Sequence, residues 1–108
     1  MGKKRKQQLT REEIATLIEE IAERVANENF SFDIQVTISA AEQALVELRH
    51  VEGLKILIRI GLLMSTKNGT TAMKYDYVRK RVEALTPLDP TADSVALRSL
   101  AADIRTQA

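Results

Sequence analysis

The segment Lys74-Tyr75-Asp76-Tyr77-Val78-Arg79-Lys80-Arg81 gathers four cations and two tyrosines within eight residues. Cations in such a cluster release counterions when they meet phosphates. A tyrosine beside them stacks on a base or donates to a phosphate oxygen. Wound into a helix, Lys74, Tyr77 and Arg81 line up beside the apolar positions, with Lys80 next to Tyr77. Further cations stand at Lys55, Arg59 and Lys67, and a run of four, Lys3, Lys4, Arg5 and Lys6, precedes the first apolar residues. The chemistry this set implies is capture of a polyanion. Lys55, Arg59, Lys67, Lys74, Arg79, Lys80 and Arg81 hold phosphates, Tyr77 stacks or donates, and Lys3 to Lys6 act as a mobile clamp. The same residues also read as a solvated basic face and a solubilising terminus.

Residues for covalent or metal chemistry are scarce. The chain has no cysteine and a single histidine, His50, so neither a thiolate nucleophile nor a histidine-cysteine zinc set is available. His50 on a helix reads as a surface or packed residue. The carboxylate pairs Glu12-Glu13 and Glu19-Glu20 read as the solvated face of a helix, with Glu12 and Glu13 also favouring its positive N-terminal end. No phosphate-binding glycine loop, dinucleotide fingerprint, calcium loop or nucleophile elbow occurs. The expectation is a protein that is not an enzyme and carries no cofactor or metal.

Charge is strongly segregated although the formal net charge is only +1. Residues 1–6 are wholly basic. Residues 7–53 hold ten acids against three bases, and residues 54–81 reverse this with seven bases against Asp76 alone. Such asymmetry is a footprint of polyanion binding, or of two segments that neutralise each other within a chain or across a dimer. The most apolar stretch, Leu54 to Met64, is broken by Lys55, Arg59 and Gly61, and falls short of the roughly 18 residues of a membrane span. The start of the chain has charge without the apolar segment of a secretory signal, so a cytoplasmic location is expected.

The elements that must position these residues follow from periodicity. Thr10-Arg11-Glu12-Glu13 is a capping box, and Ile14, Leu17, Ile18, Ile21 and Val25 then keep helical spacing to about Glu28. Phe30, Phe32, Ile34, Val36 and Ile38 alternate with polar residues, which predicts a strand over about 30–38. A lone strand needs a partner, either elsewhere in the chain or in a second copy. Ser39-Ala40-Ala41-Glu42 reads as a second capping box, opening a helix that stops near Gly53. Leu54 to Met64 fits helix or strand, with helix preferred because it is long and ends Leu-Leu-Met. Lys67-Asn68-Gly69 reads as a turn, after which Thr70 or Thr71 caps a helix through Leu85. Pro87 ends that helix, and Asp89-Pro90 starts the last, whose apolar side is Leu97, Leu100, Ala101 and Ile104.

Two families share features with these segments. Tyr77 to Leu85, with its valines, basic residues and terminal leucine after a turn, resembles the recognition helix of helix-turn-helix repressors. No wing hairpin follows; Thr86-Pro87-Leu88-Asp89-Pro90 stands there instead. The order of a strand over 30–38 and two helices is similar to that of ribbon-helix-helix repressors. That resemblance implies strands paired across a dimer, with Ser31, Asp33, Gln35 and Thr37 facing DNA.

The expected fold is therefore α+β and predominantly helical, with four or five helices and one short strand paired in cis or across a dimer. A flexible basic tail over residues 1–8 precedes one compact domain over 9–108. The leading expected function is a small non-enzymatic nucleic-acid-binding protein, a regulator or nucleoprotein subunit, with DNA or RNA and a homo-oligomer or protein as partners. A helical protein-protein adaptor, chaperone or inhibitor is the alternative, meeting its partner through the acidic first helix or the apolar 54–64 segment.

Overall fold

A computed structural model describes residues 8–67 and 76–106, with the side chains of Asp76, Val78 and Arg79 left aside. Five helices account for nearly all of it: α1 (Arg11–Ala26), α2 (Ile34–Leu48), α3 (Val51–Lys67), α4 (Asp76–Glu83) and α5 (Pro90–Thr106). The capping box forms as its residues require: the Glu13 N–H donates to Thr10 Oγ1, and the Thr10 N–H donates to Glu13 Oε1. Asp89 caps α5, its carboxylate accepting from the N–H groups of Thr91 and Ala92, with Pro90 in the first turn where no donor is missed.

The core is aliphatic and drawn from α1, α2, α3 and α5. Ile14, Ile18, Ile21 and Val25 of α1 meet Leu97, Leu100 and Ile104 of α5, and the small Ala15, Ala22 and Ala101 are fully buried beside them. Ile34, Ile38 and Leu45 of α2 close over Leu57, Ile60 and Met64 of α3. Two glycines set how near the helices lie. A Cβ on Gly61 would stand 3.1 Å from Ile38 Cγ2, and one on Gly53 would stand 2.9 Å from Leu100 Cδ1. A smaller cluster, Leu63 and Val82 with Leu62, Leu85 and Leu88 against them, ties α4 and the following linker to α3.

The strand expected over 30–38 does not form, and among the described residues there is no strand at all. Phe30 to Asp33 make a turn, and Ile34 already opens α2. The apolar alternation was real but did not mark one face. Ile34 and Ile38, four residues apart, enter the core and Phe30 packs half-buried against it, while Phe32 and Val36 are 66% and 72% exposed. Their spacing continues through Ala41 and Leu45, a helical stripe that satisfies its own backbone groups without a partner strand. The fold is thus all-helical over the described residues, not α+β. Ser39 lies inside α2 and caps nothing; the ribbon-helix-helix likeness ends with the strand it needed.

The boundary near Gly53 also moves. Helix α2 ends at Leu48, where Arg49 takes a left-handed φ of 58° and His50 N–H donates back to the Leu45 carbonyl. His50 then caps α3, its Nδ1 accepting from the N–H of Gly53 at 3.0 Å. Gly53 lies within α3, and residues 54–64 are helical. The Asn68-Gly69 turn and the caps at Thr70 or Thr71 lie outside the described residues.

Two ion-pair sets lock the helix ends. Arg105 of α5 forks Glu12 with 2.7 and 2.8 Å bonds and also reaches Glu19, both on α1, which fixes the two helices antiparallel. Arg24 of α1 bridges Asp33 at the start of α2 at 2.9 Å. These guanidiniums hold the Glu12, Glu19 and Asp33 carboxyls below their ordinary pKa values, chiefly through the hydrogen bonds. Glu42 behaves oppositely. Its carboxylate lies over Gly61, half-buried between α2 and α3, and burial raises its pKa. A raised folded-state value means a contribution to stability that is full below the unfolded carboxylate range and is lost as pH rises through the folded value. Glu42→Gln is therefore expected to raise Tm at about pH 7 and to lose that advantage at about pH 3, as read by thermal melts at both.

Candidate functional site

Helices α3 and α4 converge on an open groove of about 370 Å³. Its α3 wall comes from Lys55, Ile58, Arg59 and Leu62, spaced i, i+3, i+4 and i+7 on one helical face. Its α4 wall comes from Arg81, and from Ala84 and Leu85 just past the helix end. The floor is apolar, with Ile58 45% exposed, and the cations stand at the lips. The second apolar cluster supports this floor from beneath, since Leu62 and Leu85 pack on Leu63 and Val82.

Arg59 does not face outward as a phosphate ligand. Its guanidinium forms a two-point pair with Asp93 at 3.0 and 3.3 Å and donates to the carbonyls of Thr86 and Pro87 at 2.9 and 2.8 Å. Asp93 in turn accepts from the Asp89 N–H at 2.8 Å. The network joins the middle of α3 to the linker and the first turn of α5, with side chains 24% and 13% exposed. Arg59 is consequently a structural clamp that forms part of the groove's edge.

The other expected ligands divide. Lys55 is exposed and lies 3.8 Å from Glu52, one turn away, a distance that leaves the ammonium mostly solvated. Arg81, Lys80 and Tyr77 are exposed on α4, and Lys67 is exposed at the end of α3. Lys55 and Arg81 meet across the groove although 26 positions apart in sequence. Lys3, Lys4, Arg5, Lys6, Lys74 and the Arg79 side chain lie outside what the structure describes. Sequence reasoning offered the apolar 54–64 segment as a partner contact but missed Ala84 and Leu85, and did not single out Ile58 and Leu62 as the residues that line the surface. Their signal was the shared face of Lys55, Ile58 and Leu62, visible once 54–64 is wound as a helix.

His50 lines a second, shallower cavity of about 250 Å³ with Glu52, Ser99 and Asp103, but its Nδ1 is engaged in capping α3. Among the described residues no three metal-ligating side chains converge, and no helix is long and apolar enough to cross a membrane. No family model, no curated protein and no solved structure matches this chain.

The groove residues and the clamp should separate in their effect on stability. Ile58→Ala and Arg81→Ala are expected to change unfolding free energy by less than about 0.5 kcal/mol, as exposed positions do. Asp93→Ala, which strands a largely buried guanidinium, should cost on the order of 3 kcal/mol. Urea denaturation of the three variants measures the contrast.

Proposed function

We propose that this protein is a small non-enzymatic binding protein that meets nucleic acid through the basic face of α3 and α4. The observation that carries the reading is the pairing of Lys55 and Arg81 across one groove, with Tyr77 and Lys80 exposed along the same α4. Cations spaced along two adjoining helices follow a phosphate backbone, and an exposed tyrosine offers a stacking surface. Helix α4, which overlaps the segment resembling a recognition helix, supplies three of these four side chains. Helix-turn-helix docking proper is not part of the proposal, because residues 68–75, with the turn between α3 and α4, lie outside the described residues.

A second reading, a protein-protein adaptor, is favoured by one specific feature: the apolar floor of Ile58, Leu62, Ala84 and Leu85. Phosphates have no use for such a floor, whereas a partner's aliphatic side chains do. The two readings divide on which residues matter.

Fluorescence titration with labelled duplex DNA, single-stranded DNA and RNA at two salt concentrations tests the proposal. Binding is expected to weaken with salt, and the variant Lys55→Ala/Lys80→Ala/Arg81→Ala should reduce the slope of log affinity against log salt by about two to three units, nearly one per lost phosphate contact. No binding even at low salt contradicts the nucleic-acid reading. Capture of a protein partner that survives the triple variant and fails in Ile58→Glu would establish the adaptor in its place.

A further inference from the structure

The outward face of α2 differs from that of the other long helices. Its exposed positions between Asp33 and Glu47 are Val36, Ser39, Ala40, Gln43 and Val46, none of them charged. They follow at i, i+3, i+4, i+7 and i+10, so they form one continuous stripe. Phe32 extends it at the N-terminal end; Phe32, Val36 and Val46 are 66%, 72% and 51% exposed. Helix α1, by contrast, turns Glu12, Glu13, Glu20 and Glu23 to solvent. A solvated helix ordinarily carries charge along its outer face, whereas here charge stands only at the ends, at Asp33 and Glu47, and exposed valines alternate with the uncharged polar Ser39 and Gln43 between them.

We infer that a second copy of this chain covers this stripe, α2 packing antiparallel on α2 about a twofold axis. The pattern is self-complementary in one register, which is what an isologous interface requires. With the axis at the level of residue 41, Val36 meets the partner's Val46 and Ser39 meets the partner's Gln43. Ala40, small enough for close helix approach, lies by the axis. The same register brings Asp33, at the start of α2, to the partner's Arg49 at its end, so opposite charges meet at both ends of the stripe. The Asp33 side chain is 73% exposed beside its own Arg24 and retains lone pairs for a second cation, and Arg49 is exposed. Phe32 falls next to the same guanidinium, a favourable stacking partner. Antiparallel packing also opposes the two helix dipoles. One helix pair buries less than the standard interface of roughly 1,600 Å², so the dimer dissociates on dilution.

The chain has no cysteine, which permits a direct test. Light scattering from about 10 µM to about 1 mM is expected to show the mass rising from 12.1 kDa towards twice that value. Under mild oxidation Ala40→Cys should form a disulfide-linked dimer at least about tenfold faster than Val95→Cys, a control on the exposed face of α5. Val36→Glu, whose exposed site leaves folding intact by circular dichroism, should hold the mass at the monomer and abolish cross-linking through Cys at position 40. A monomeric mass at every concentration overturns the inference. So does association unchanged by Val36→Glu, or equal cross-linking at the two cysteine positions; each would stand whatever the outcome of the nucleic-acid titration.

Discussion

Everything in the α3–α4 region depends on the Arg59–Asp93 clamp. Helix α4 has only eight residues and a small apolar contact with α3, through Val82 and Leu63. Such a helix has little stability of its own. What holds its C-terminal side near α3 is the linker behind it, and the linker is held by Arg59, whose guanidinium binds the Thr86 and Pro87 carbonyls while paired to Asp93. Asp93 also accepts from the Asp89 backbone, so the start of α5 and the end of the linker are fixed by the same carboxylate. A cation in the apolar α3 is costly to desolvate, and acceptors facing each of its three guanidinium nitrogens offset that cost. The groove between Lys55 and Arg81 is a consequence of this fixed geometry.

The opposite half of the molecule is held by different means. α1 and α5 pack through fully buried alanines that let aliphatic side chains interlock, and Arg105 ties the ends with Glu12 and Glu19. The exposed ion pairs add specificity of alignment more than energy. Acidic charge concentrates on α1 and basic charge on α3 and α4, so the segregation seen along the chain becomes a separation between helices, partly neutralised where Arg24, Arg59 and Arg105 meet Asp33, Asp93, and Glu12 with Glu19. The proposed nucleic-acid face is on the basic side, and the proposed dimer stripe is on α2, which lies between them in sequence and has Glu42 and Glu47 as its only charged residues.

The helices with a cap and a four-residue apolar rhythm were readable from sequence: Thr10 and Glu13 opened α1, and Asp89 with Pro90 opened α5. The failure at residues 30–38 has a definite cause. Two exposed apolar residues, Phe32 and Val36, interleave with two buried ones, Ile34 and Ile38, and so counterfeit a strand face. A helix with apolar residues on both sides defeats any reading that assumes one wet face. Arg59 was misread for a related reason. In a string of isoleucines and leucines a lone arginine marks either a ligand or an internal clamp, and its partner Asp93 is 34 positions away, beyond any local pattern. The groove was half legible: the cations and the apolar character of 54–64 are visible in the sequence, while the meeting of Ile58 and Leu62 with Ala84 and Leu85 depends on how α3 and α4 lie side by side.

Residue-resolved amide chemical-shift mapping during titration with a short unlabelled duplex reads whether nucleic acid meets the proposed face that rests on this clamp. The account predicts fast-exchange shifts confined to the neighbourhood of Lys55, Ile58, Tyr77, Lys80 and Arg81, fading as salt is added. Shifts centred on α1 or α2, or no shifts at low salt, would contradict it.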